Sequence, residues 1–72
     1  MPAALLSYNH VQTTPATVWV VNHYLHNFPI VDVMVDYEGS LQKIIPKAVK
    51  VIDENTCEIH FSTPRTGQAR LV

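Results

Sequence analysis

The sequence predicts an all-β domain, a small antiparallel β-sandwich or flattened barrel of about six short strands. Three observations carry that expectation. Apolar and polar residues alternate with period two in "ATVWVVNHY", "IVDVMVDY" and "CEIHFS". β-Branched residues crowd these runs, while "TTP", "DYEGS", "DENT" and "TPRTG" separate them with turn chemistry. No segment holds a helical period that would supply the crossover parallel strands require.

In order along the chain, "LLSYNHVQ" is an extended start that breaks at "TTP". Residues 1–14 are therefore expected as an extended N-terminal arm on a single β-domain covering 1–72. In the next strand Thr17, Trp19, Val21 and His23 share one face and Val18, Val20 and Asn22 the other. Trp19 is large enough to anchor a small core, so its face is read as the inner one. Val18 and Val20 then need a second cover. Pro29 keeps the residue before it out of the α region. The strand that follows points Val33 and Val35 to the core and Asp32, Met34 and Asp36 to solvent or an interface. Gly39 supplies a turn, and "LQKIIP" reads either as a short strand or as a loop ending at Pro46. "KAVKVID" places Val49 and Val51 inward, and "CEIHFS" sets Cys57, Ile59 and Phe61 against Glu58, His60 and Ser62, the two forming a hairpin through "DENT". A break at "TPRTG" leaves "QARLV" as a terminal strand. The expected core anchors are Trp19, Val21, Val33, Val35, Val51, Ile59 and Phe61. The residues expected to face an interface or a ligand are Val18, Val20, Tyr24, Phe28 and Met34.

Size and composition narrow the function. A domain of 72 residues buries only about 60% of the surface its unfolded chain exposes. A core of that size rarely supplies more than about 3–5 kcal/mol without a disulfide, a metal or neighbouring chains. Cys57 is the only cysteine, so no internal disulfide forms and the thiol is read as a small buried hydrophobe. Five basic residues against six acidic ones, a formal charge of −1, leave no basic block to neutralise phosphates, which argues against nucleic acid as a partner. No run approaches the ~20 apolar residues that cross a bilayer, and the start lacks a basic n-region, so no membrane partner and synthesis in a cytosol-like compartment are expected. A high apolar fraction with few charges fits a surface partly covered by other subunits.

The candidate residues for chemistry each have a plainer reading. His23 and His26, three apart in "WVVNHYLHNFP", offer two nitrogens where a metal site needs three or four ligands. A homotrimer that brought one His23 from each chain to its axis would be the exception. Otherwise His23 is a hydrogen bonder at a strand end and His26 a loop residue. Cys57 and His60 point to opposite faces of a strand and make no nucleophile and base pair. Asp32 and Asp36 share a face at about 13 Å, beyond the ~5–9.5 Å of paired glycosidase carboxylates. Asp53, Glu54 and Asn55 read as turn chemistry rather than a calcium loop. Tyr8, Tyr24, Phe28 and Tyr37 offer faces that a sugar could stack on, or rings for packing. With no phosphate loop, nucleophile elbow or multi-cysteine motif, no enzyme and no cofactor are expected.

One resemblance spans about nine-tenths of the chain. Gln12, Pro15, Ala16 and Trp19 form a lead, followed by His23, Leu25 and Pro29. The run through Val33, Val35, Asp36 and Gly39 comes next, and then "IDENTCEIHFSTPRTGQARL". In this order they resemble a small β-domain that recurs in virion proteins of tailed bacteriophages, especially tail fibres and their appendages. In that pattern the histidine precedes Asn-Leu, whereas here it precedes Tyr24-Leu25. The resemblance implies a phage virion structural protein of the tail-fibre, neck or head-decoration type, assembled in the host cytoplasm. It also implies a homotrimer in contact with other phage structural proteins. The alternative is a receptor-binding tip module that recognises host-surface glycan through Tyr24, Phe28 or neighbouring loops.

Overall fold

The structure, a computed structural model, describes residues 7–72. It is all-β and antiparallel, with five strands: β1 (Tyr8–Asn22), β2 (Val31–Tyr37), β3 (Ser40–Ile44), β4 (Ala48–Asp53) and β5 (Thr56–Leu71). The sheet runs β1-β5-β2-β3, and β4 also pairs with β5. The ambiguous "LQKIIP" segment contributes to strand β3. Strands β2 and β3 join through Glu38 and Gly39, both at positive φ (51° and 86°), the backbone twist that suits a two-residue hairpin loop.

Two of the expected breaks do not end a strand. β1 runs through "TTP" and β5 through "TPRTG", so five strands stand where about six were expected, two of them long. The first six residues of the expected arm lie outside the described residues, and Tyr8–Thr14 belong to β1, with Tyr8–Gln12 paired to β5. The prolines are tolerated because they sit where the ladder is interrupted. The β1–β5 register shifts between Gln12 and Ala16 and again between Ala16 and Val18, so Pro15 and Pro64 fall in bulges that ask for no ladder N–H.

Those bulges fold the sheet over. Fifteen residues of straight strand span about 50 Å, longer than the 43 Å long axis of the molecule. His10 and Trp19, nine residues apart on β1, bring their rings to within 5.8 Å. One layer is therefore the first part of β1, the end of β5, β2 and β3. The other is the end of β1, the start of β5 and β4. β5 belongs to both, which is why it can be central to each half.

The core lies between the layers: Trp19, Val21, Cys57, Ile59 and Phe61 from one, and Val33, Val35, Ala69 and Leu71 from the other. Trp19 packs against Phe61 at 4.6 Å between ring centroids and donates its indole N–H to the Arg65 carbonyl at 3.0 Å, which satisfies the ring's one polar atom inside the core. Gly67 lies where β1, β5 and β2 meet, opposite Gln12 and Val35. A Cβ built there would stand 2.1 Å from the Met34 carbonyl oxygen, so only glycine lets the two backbones approach.

Val51 does not anchor the core. It is 46% exposed, and Val49 is 38% exposed. Both lie on the inner face, opposite Cys57 and Ile59, as the alternation indicates. Strand β4 is the margin of its layer, however, and the opposing layer does not extend far enough to cover it.

Candidate functional site

The histidine stretch forms the loop between β1 and β2. Its backbone is held to the β4–β5 turn: His23 and Tyr24 donate N–H bonds to the Asn55 carbonyl (2.9 and 3.2 Å) and Asn27 to the Glu54 carbonyl (2.9 Å). The Asn55 side chain accepts from the His26 N–H at 3.1 Å, and its own N–H is held by the Asp53 carboxylate at 2.8 Å. Tyr24 and His26 adopt the left-handed region, with φ of 54° and 56°, and the Tyr24 and Phe28 rings lie exposed on this loop.

His23 is fully buried. Its Nδ1 accepts the Leu25 N–H at 3.0 Å, so the neutral ring carries its proton on Nε2. That atom has no partner among the described residues. Burial holds the imidazole pKa below its ordinary 6.5, and attraction from Asp53 offsets this only in part. A ring enclosed by its own chain cannot meet its symmetry copies on an axis, which removes the shared metal site considered for His23. Among the described residues, no three His, Cys, Asp or Glu side chains converge on a common point.

The other chemical candidates separate in space. Cys57 is buried, and burial raises its thiol pKa above the ordinary 9.0. His60 lies on the opposite face against Glu58 at 3.1 Å. Asp32 pairs with Lys43 at 3.2 Å in the open. A cleft of about 300 Å3 between β2 and the β3–β4 connection is lined by Val31, Val33, Ile44, Ile45 and Pro46, with Asp32 and Lys43 alongside. Those two charged groups already satisfy each other. No described helix is long and apolar enough to cross a membrane.

The surface is most distinctive for what it leaves uncovered. Tyr24 and Phe28 are 61% and 70% exposed, and Val20 is 54% exposed. Val18 and Met34 are half-buried. Across the described residues, twelve large apolar side chains remain exposed, while the core buries nine residues, the small Cys57 and Ala69 among them. Backbone edges are open as well: among the described strands, β1 and β4 each pair only with β5, and β3 only with β2. The interface candidates Val18, Val20, Tyr24, Phe28 and Met34 do not form one patch. Val18 and Val20 lie on the outer face of β1 beside His60 and Glu58, Tyr24 and Phe28 on the loop, and Met34 on the outer face of β2 beside Gln68 and Lys43.

Sequence reasoning took Asn55 only as turn chemistry and passed over Gly67, Ala69 and Leu71. Period-two alternation in "QARLV" marks the last two, and an isolated glycine within a strand pattern is a sign of close backbone approach. In comparisons with known proteins, no family model, no curated protein and no solved structure matches the chain.

Proposed function

We propose that this protein is a structural component of a tailed-phage particle, of the tail-fibre, neck or head-decoration type, assembled in the host cytoplasm. It acts by burying surface against copies of itself and against other phage structural proteins, with no catalytic step, cofactor, nucleic acid or membrane involved. A homotrimer is the assembly proposed. The observation that carries this reading is the excess of uncovered apolar side chains over buried ones, together with the open, uncharged edge of β1, which a lone domain normally blunts. The sequence resemblance supplies the phage setting. Antibodies raised against the chain, used on gradient-purified particles of the phage that encodes it, should find a fixed number of copies per particle. Particles that lack the chain refute the reading.

A second reading is favoured by the outward Tyr24 and Phe28 rings on a loop tied down through Asn55. Such a loop suits a receptor-binding tip, because aromatic faces held on a fixed backbone stack on sugars at little entropic cost. Host-surface glycan should then bind the parent and not Tyr24→Ala or Phe28→Ala. Equal binding by all three chains refutes it.

A further inference from the structure

We propose that copies of this chain join head to tail, the open edge of β1 on one copy pairing in parallel with the open edge of β4 on the next. The inference rests on the homo-oligomeric reading above and names its contact.

Two independent features point to these edges. The first is the chemistry of β1. Its fifteen residues contain no Asp, Glu, Lys or Arg, and its single proline lies at the bend, so Ala16–Asn22 is an uncharged edge. Lone domains protect edges with charge, proline or brevity, and the other two margins do so: β3 has five residues with Lys43, and β4 has six with Lys50 and Asp53. The second feature is the unfinished inner face. The rows Trp19-Ile59-Val49 and Val21-Cys57-Val51 cross the layer in register and end at β4 with both valines open to solvent. A strand laid along the outer edge of β4 closes the flank through which they meet water.

Direction and charge choose between partners. Both β1 and β4 run antiparallel to β5, so they are parallel to each other. Continuing the layer from copy to copy about an axis along the strands therefore pairs β1 with the next β4 in parallel. The uncharged β1 sets no like charge against Lys50. A two-fold β1 to β1 contact covers the first feature and leaves the β4 valines open, whereas a contact between the two unlike edges covers both. Contacts between unlike surfaces repeat around a ring when the rotation closes.

The test uses the full chain and two variants designed to keep the fold. V20K changes an exposed outer-face position opposite Glu58 and sets a second cation in the row of the neighbour's Lys50. V49K/V51K places charge on the open flank of β4. Sedimentation velocity and native mass spectrometry should give the parent at three times the 8.1 kDa chain mass and each variant as a single chain with an unchanged circular dichroism spectrum. Mixed in equal amounts, the variants should form a two-chain species, since each retains the edge that the other needs. In the parent, amide exchange of residues 16–22 and 48–53 should slow together, roughly tenfold, as concentration rises. A parent that stays monomeric overturns both the homo-oligomeric reading and this contact. An oligomeric parent that protects β1 but not β4, or variants that remain monomeric when mixed, overturns the contact alone.

Discussion

Replacing Trp19 with alanine tests the core most directly. The side chain is fully buried, packs against Phe61 in a tilted pair at 4.6 Å and donates to the Arg65 carbonyl across the bend. Truncating a buried tryptophan costs about 3–5 kcal/mol in lost transfer energy and cavity. Within that figure the hydrogen bond accounts for about 1 kcal/mol and the ring pairing for about 0.5–1.5 kcal/mol. A core of this size supplies about 3–5 kcal/mol in all, so Trp19→Ala should leave an isolated chain unfolded at 25 °C. Trp19→Phe keeps a ring against Phe61 but loses the indole N–H, and should cost about 1–2 kcal/mol. Urea titration followed by far-ultraviolet circular dichroism is the appropriate assay, because Trp19 is the only tryptophan and its fluorescence disappears with it. A Trp19→Ala chain with the parent's midpoint refutes the view that the two layers are held together around this ring.

Two further predictions concern backbone approach and pH. Gly67→Ala should cost about 2–4 kcal/mol and loosen amide protection in both β1 and β2, since the new methyl group meets the Met34 carbonyl; unaltered protection contradicts the close approach. His23 has a folded pKa below 6.5, so the unfolded chain takes up the proton first. Its contribution to stability is complete above pH 6.5 and is lost as pH falls through that value toward the folded pKa, with a slope of at most about 1.4 kcal/mol per pH unit. Cys57 acts at the other end. Its folded pKa is raised, so stability declines as pH climbs past 9.0, where the unfolded thiol ionises. The difference in urea midpoint between the parent and His23→Gln should narrow between pH 7 and pH 5, and that between the parent and Cys57→Ala should narrow above pH 9. Differences that hold constant across those ranges refute the two assignments.

Much of the core was legible because a strand's period of two assigns faces without knowledge of the partner. Trp19, Val21, Val33, Val35, Cys57, Ile59 and Phe61 all occupy the interior that the alternation gives them. The β4–β5 hairpin was legible from its turn residues. Val51 shows the limit of that rule: alternation says which face a side chain takes, and only the extent of the opposing layer decides whether that face is covered. The prolines misled for a related reason. Pro15 and Pro64 read as strand ends, yet a bulge absorbs a missing N–H, and whether a bulge is present depends on a partner strand some fifty residues away in sequence. At the β1–β2 loop, the reading of His23 as a hydrogen bonder at a strand end agrees with its Nδ1 contact. Its burial and the clamp from Asn55 depend on the distant β4–β5 turn, and no local pattern announces them.

The placement of β5 also governs how the molecule comes into being. Every other strand except β3 needs it as a ladder partner, and it is the last of the five to leave the ribosome. Until then the nascent chain can close only the short β2–β3 hairpin, which is marginal in water by itself. Removing Ala69–Leu71 would take away partners of β1 and β2 together. Closure of both layers therefore waits for β5, and a chain that stops short of it holds no completed sheet.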